Sequence, residues 1–201
     1  MPSPDSESHT PLSPELRREL LQLAKASIQY GLENGCPLPV QARDYPPELQ
    51  VQRAAFVTLN RNGTLRGCIG HLQAVAPLAQ DVAENAYAAA FRDPRFPPLA
   101  TPELEGLRIH ISILTPARPL EFASEADLVS RLRPGIDGLI LEDGRHRGTF
   151  LPSVWESLPD PHEFLRHLKR KAGLPPDYWS DTVRILRYET ESFSDQELAN
   201  L

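Results

Sequence analysis

A thiol held between two glycines, two residues from an arginine, is the feature of this chain best suited to chemistry: Leu65-Arg66-Gly67-Cys68-Ile69-Gly70. A thiolate is a nucleophile and a metal ligand, and a neighbouring arginine favours it over the neutral thiol. In an extended stretch successive side chains point to opposite faces, so Arg66 and Cys68 share one face, about 7 Å apart at Cα, with Leu65, Gly67 and Ile69 on the other. Gly67 and Gly70 have no side chain to pack, and glycine inside a strand marks the close approach of a ligand or of another backbone. The same residues fit a packing role, because free cysteine often behaves as a small buried hydrophobe. Both readings stand on these residues alone.

A second group is Phe91-Arg92-Asp93-Pro94-Arg95-Phe96-Pro97-Pro98. Its prolines end a preceding helix and stiffen the loop beyond it. Arg92 and Arg95 around Asp93 read as a rigid cationic loop for a carboxylate or phosphate. They read also as a helix terminus whose arginines pair with Asp93 and the last carbonyls, and the frequency of such ion pairs favours that reading on sequence alone. A third candidate is His110, on the polar side of the alternating run Leu107 to Leu114. It faces the thiol if its strand lies beside that of Cys68, and is otherwise a solvated residue on an open sheet face.

These groups need elements to hold them. Ala54 to Asn60 is an apolar, β-prone run, and Asn62-Gly63 after it is a hairpin signal, which puts Cys68 on the second strand of a hairpin. Upstream, Ser13 and Pro14 offer an N-cap and first helical position for a helix carrying Leu16, Leu20 and Ile28, which Gly35 stops. A proline-rich linker runs from Cys36 to Pro47. Pro77 opens a second helix with Leu78, Val82, Ala86 and Ala90 on one face, small enough to pack close to a sheet. Beyond the Leu107 strand, Ser124 and Asp127 resemble a capping box before a short helix, and Asp143-Gly144 turns a second hairpin. Asp160 and Pro161 open a last full helix that ends at Gly173, and Thr182 to Thr190 reads as a strand, with Phe193 folding the tail back. Residues 1–12 and 194–201 read as tails around a domain spanning 13–193, the first of them disordered.

Composition bounds the function. With 40% hydrophobic and 24% charged residues, the 201-residue chain is that of a globular protein with room for a proper core. A net charge of -6 argues against a broad basic face for duplex nucleic acid. No apolar run reaches membrane-spanning length and the first ten residues lack a signal-peptide core, so a cytoplasmic protein with no membrane role is expected. Two cysteines exclude a disulfide framework. The 21 prolines, about twice average usage, imply stiff connections.

Strands interleaved with covering helices give an α+β fold with a mixed or largely antiparallel sheet. No phosphate loop, dinucleotide fingerprint or nucleophile elbow is present, so no cofactor is expected. Metal is poorly served too: the histidines form no helical i, i+4 pairs, and His71 falls on the strand face opposite Cys68.

LRGCIG (Leu65–Gly70), AFRDPRFPP (Ala90–Pro98), SILTP (Ser112–Pro116), RPGIDGL (Arg133–Leu139), FLP (Phe150–Pro152) and KAGLP (Lys171–Pro175), in this order, together resemble the AMMECR domain family, AmmeMemoRadiSam system protein A. The resemblance spans about Leu12 to Phe193, and departs from the usual FLPQV in carrying Ser153 in place of the glutamine. It implies a two-lobed α+β domain with the cysteine motif at a cleft, and partnership with a Memo-like protein and a radical SAM enzyme. It places the site at Cys68 with Arg66, the catalytic candidates, then Arg92, Asp93 and Arg95 as ligand-binding ones, to which the reading of the residues themselves adds Gly67, Gly70 and His110. Two functional classes stand open: a cysteine-bearing enzyme or carrier subunit that holds an anionic small molecule, or a non-catalytic binding module for a nucleotide, an RNA segment or a peptide.

Overall fold

The computed structural model describes residues 11–198. It is α+β, with two four-stranded antiparallel sheets. The chain divides into two compact units, residues up to Leu114 with those from Glu191 onward, and Thr115–Thr190.

In the first unit the sheet order is β2-β1-β3-β8, with β1 Ala55–Arg61, β2 Thr64–Gly70, β3 Leu107–Leu114 and β8 Thr190–Ser194. Helices α1 (Pro14–Asn34) and α3 (Leu78–Phe91) cover one face, and a single helical turn, α2 (Pro47–Gln50), buries Leu49. The capping expectations hold for α1: Ser13 Oγ accepts the Leu16 N–H at 3.3 Å, and Gly35 ends the helix at φ 69°. Strict alternation puts Val57 and Leu59 of β1 and Ile109, Ile111 and Ile113 of β3 into the core beneath Leu78, Val82, Ala86 and Ala90 of α3. Small residues let these layers approach closely. A Cβ on Gly67 would lie 2.0 Å from the Ala89 carbonyl oxygen of α3, and within the sheet one on Gly70 would lie 2.4 Å from the Ala55 carbonyl oxygen of β1. Asp81 fastens the start of α3 to β1, accepting the Ala55 N–H at 3.0 Å and lying 2.8 Å from His71 Nδ1. Burial pushes the Asp81 carboxyl up, and His71 works against that rise.

The β1–β2 hairpin turns as expected through Asn62 (φ 53°) and Gly63 (φ 79°), both left-handed as a two-residue hairpin turn requires. Beyond the turn Arg61 pairs with Thr64 and Asn60 with Leu65, but Leu59 then pairs with Gly67. Arg66 is the extra residue of a β-bulge. The expected two-residue alternation is therefore broken at Arg66.

In the second unit the order is β4-β7-β5-β6, with β4 Arg118–Pro119, β5 Gly138–Asp143, β6 His146–Phe150 and β7 Arg184–Tyr188. Helices α4 (Glu125–Arg131) and α5 (Pro161–Lys171) bury Leu128, Phe164, Leu165 and Leu168 with Leu139, Leu141 and Ile185. Ser124 caps α4, Asp160 caps α5, and Gly173 lies beyond α5 at φ 82°. Trp155 stacks on Phe164 at 3.7 Å and donates to the Asp137 carbonyl at 2.8 Å. Asp137, fully buried, takes the Arg133 backbone N–H and guanidinium at 2.6 to 2.9 Å, which ties the RPGID turn shut.

The run Thr182 to Thr190, expected as one strand, is two. It breaks at Glu189, whose N–H donates to Thr115 Oγ1 at 2.8 Å and whose carbonyl accepts the Thr115 N–H at 2.9 Å. Of the expected tails, residues 1–10 and 199–201 lie outside the described residues. Leu12 is buried, with its N–H on Glu191 Oε1 at 2.8 Å, and Asp195–Leu198 form a last helical turn, α6.

Candidate functional site

Cys68 lies on β2, an edge strand of its sheet, and faces away from the helices. The bulge decides that orientation. Counted from the turn without an extra residue, Cys68 would pair with Val57 and enter the core; with Arg66 inserted it pairs with Thr58 on the open face. Thr58 Oγ1 donates to Cys68 Sγ at 3.2 Å. Such close side chains belong to a pair whose backbone groups point away from each other. The backbone of Cys68 accordingly points outward from the sheet edge.

There the second motif meets it. Asp93 Oδ2 accepts the Cys68 N–H at 2.9 Å, and Arg95 Nη2 donates to the Cys68 carbonyl at 3.3 Å. Two side chains thus stand in for the neighbouring strand that β2 lacks, and close an edge otherwise open to pairing. Arg95 also donates twice to Asp93, from Nε at 3.0 Å and Nη2 at 2.7 Å. The Arg95 guanidinium, with the N–H groups of Cys68 and Arg95, holds the buried Asp93 carboxyl far below the usual carboxylate range.

Arg66 completes the fastening. It is 8% exposed, forks onto Glu103 at 2.7 and 3.0 Å and donates to the Pro97 carbonyl at 2.9 Å. Glu103 is held down to about 2 by Arg66 and, after it, by the Ala100 N–H. The Phe96 ring is flanked by the guanidinium carbons of Arg66 and Arg95, at 5.8 and 5.6 Å from its centroid. The cysteine motif and the RDPRF loop are therefore one interlocked unit.

A family model described as AMMECR1 matches residues 21–193. The chain belongs to the AMMECR1 family. A protein of Methanothermobacter thermautotrophicus is 40% identical over 193 residues, 93% of this chain and 98% of that protein. One of Thermococcus gammatolerans is 38% identical over 188 residues, 88% and 89% of the two chains. The crystal structure of an uncharacterised protein from Pyrococcus horikoshii matches with a TM-score of 0.85 at 35% identity, over 92% of this chain and 94% of that one.

In this AMMECR1 chain the expected site residues have these places. Cys68, Asp93 and Arg95 are in direct contact. Arg66 does not share the face of the thiol as simple alternation required; as the bulge residue it turns to Glu103 and Pro97. Gly67 and Gly70 admit another backbone, the second of the two alternatives their sequence allowed. Arg92 is exposed, with its guanidinium 5.0 Å from the Tyr87 ring centroid. His110 pairs with Thr58 across β1–β3, so it shares the open face with Cys68 but stands one strand further away.

Sequence reasoning misses Thr58 and Glu103. The bulge hides Thr58, because the uninterrupted register pairs it with Gly67. Glu103 gives a weaker signal, as the third helical residue of the 3-10 turn Thr101–Leu104 that reaches back to the Ala100 N–H.

Proposed function

We propose that this AMMECR1-family protein is a cysteine-bearing enzyme or carrier subunit, working in the cytoplasm with a Memo-like protein and a radical SAM enzyme. The observation that carries the reading is the Thr58 hydroxyl donating to Cys68 Sγ, with the Cys68 N–H held by Asp93 and its carbonyl by Arg95. The Thr58 hydroxyl orients the sulfur, and a backbone held at both its N–H and its carbonyl fixes where that sulfur stands. The thiolate supplies the electron pair for a carbon–sulfur bond to an electrophilic carbon, whose leaving group departs with the electrons of its own bond. Arg92, exposed beside the Tyr87 ring, and the outward edge of Arg95 bind an anionic group of the bound molecule.

A second reading, a non-catalytic module for a nucleotide, RNA segment or peptide, is favoured by Leu65, which is 42% exposed on the same face as Cys68. Alkylation with iodoacetamide and peptide mapping separates the two. Cys36 is exposed and Cys68 only partly so, so simple access predicts that Cys36 reacts first. The proposal predicts that Cys68 leads at pH 7 and that Thr58→Val slows it. Labelling led by Cys36, with ligand or partner binding intact in Cys68→Ser, establishes the binding module instead.

A further inference from the structure

The Asp93–Arg95 clamp closes the outer edge of β2 at Cys68 and stops there. Backbone groups point alternately inward and outward along a strand, so the next residue whose N–H and carbonyl face outward is Gly70, about 7 Å on. The register agrees: Gly70 stands opposite Phe56 as Cys68 stands opposite Thr58, and His71, one further, donates inward to the Ala55 carbonyl at 3.2 Å. The outward N–H and carbonyl of Gly70 have no partner among the described residues. Arg95 stands beside them. Its Nη2 reaches the neighbouring outward carbonyl, that of Cys68, at 3.3 Å, and Asp93 takes Nε and Nη2. Nη1 is left without a partner among the described residues, on a side chain that is 54% exposed. The Phe56 ring adds an apolar wall. Val57 and Leu59 point into the core, so alternation puts Phe56 on the open face with Cys68, where it is half-buried. A Cβ on Gly70 would fall 2.4 Å from Phe56 Cγ, so the ring leans into the place that a side chain would fill.

We propose that this edge binds the C-terminal residue of a peptide; the proposal rests on the reading of the outward edge of Arg95 as an anion site. A chain laid antiparallel to β2 and ending opposite Gly70 donates its last N–H to the Gly70 carbonyl and accepts the Gly70 N–H on its carboxylate. Antiparallel pairing points the chain end from Gly70 towards Cys68, where the Arg95 guanidinium stands, and the same carboxylate accepts from Nη1 there. The clamp selects a chain end, because a strand that continued would run into Asp93 and Arg95 at the next outward position. Directly opposed residues share a face, so the terminal side chain lies on the open face against the Phe56 ring, where an apolar one gains most. A simple carboxylic acid uses the Gly70 N–H and Arg95 but has nothing to offer the Gly70 carbonyl.

The test is a titration of the whole chain, followed by the backbone amide resonances, with N-acetyl-L-leucine, which carries the N–H, carboxylate and apolar side chain of a peptide terminus. N-acetyl-L-leucinamide, N-acetylglycine and acetate are run beside it. The Gly70 amide moves with N-acetyl-L-leucine, and the leucinamide, without the charge, binds about tenfold more weakly or worse. Phe56→Ala removes the preference for leucine over glycine and leaves N-acetylglycine binding as it was; its unfolding midpoint separates that effect from loss of fold. Acetate that moves the Gly70 amide as readily as N-acetyl-L-leucine overturns the peptide site and keeps Arg95 as an anion site. Leucinamide that binds as tightly as the acid, or a leucine preference untouched by Phe56→Ala, also overturns it. A Gly70 amide that stays still with every carboxylate overturns both the peptide site and the anion site.

Discussion

Asp93 Oδ2 lies 2.9 Å from the backbone nitrogen of Cys68, 25 residues away in the chain, and makes the position of the thiol depend on a carboxylate in a different motif. Its partner Arg95 reaches the Cys68 carbonyl, so either side chain alone leaves half of the clamp.

Asp93→Ala removes the acceptor for two N–H groups and the partner of Arg95. Leaving buried donors unsatisfied costs about 1 to 3 kcal/mol. Urea denaturation shows that loss, and hydrogen exchange shows the Cys68 amide becoming fast while the amides of α1 keep their protection.

Acid acts on the same fastening. Asp93 and Glu103 both have folded pKa values below their unfolded ones, Glu103 at about 2. Their contribution is complete above the unfolded carboxyl values of about 4 and is lost as pH falls through the folded ones. Melting temperature against pH therefore declines below about pH 4, and the decline is shallower in Glu103→Gln, which starts from a lower plateau.

Anion binding separates two arginines that look alike in sequence. Sulfate raises the melting temperature of the parent by mass action on the folded state, and Arg92→Ala abolishes the rise. Arg95→Ala lowers the melting temperature without sulfate, because it strips Asp93 of its guanidinium. A thermal-shift titration of the three proteins checks both.

Gly67→Ala is a test of packing. The new Cβ would fall 2.0 Å from a helix carbonyl, so β2 and α3 must separate. Overpacking of this kind costs about 1 to 3 kcal/mol or more, read by chemical denaturation.

Cys68→Ser takes the opposite course. The side chain stands on the open face beside a hydroxyl, so serine keeps a hydrogen-bond partner and escapes the roughly 1 to 3 kcal/mol that a hydroxyl costs in an apolar site. Denaturation near the parent midpoint, with function lost in an assay containing the proposed Memo-like and radical SAM partners, is the expected pair of results.

Local chemistry is legible where it is self-contained. Asn62-Gly63 announces its hairpin because both residues accept left-handed backbone, and Ser13-Pro14 announces a helix start by capping geometry. The alternation of Leu107 to Leu114 marks β3 and its buried face. What escapes depends on distant partners. Arg66 finds Glu103 37 residues on, and Glu189 is pinned by Thr115 74 residues earlier, which splits what reads as one strand. Of the site, the two motifs are visible separately, and so is the pairing of Arg95 with Asp93 two residues before it; that Arg66 is held by Glu103, and that the motifs are locked together, is tertiary information.

The inserted Arg66 acts on this hairpin as a frameshift acts on a reading frame. Every residue after it, up to Gly70, has its assignment to inside or outside exchanged relative to a regular ladder. Removing one residue between Thr64 and Gly67 would restore the regular count, turn the thiol inward against α3, where the backbone leaves no room even for a methyl group, and hand the open face to glycine. The order Arg-Gly-Cys is thus a parity code: its middle letter must be the one without a side chain, and its length, as much as its lettering, decides whether the sulfur of Cys68 reaches the open face.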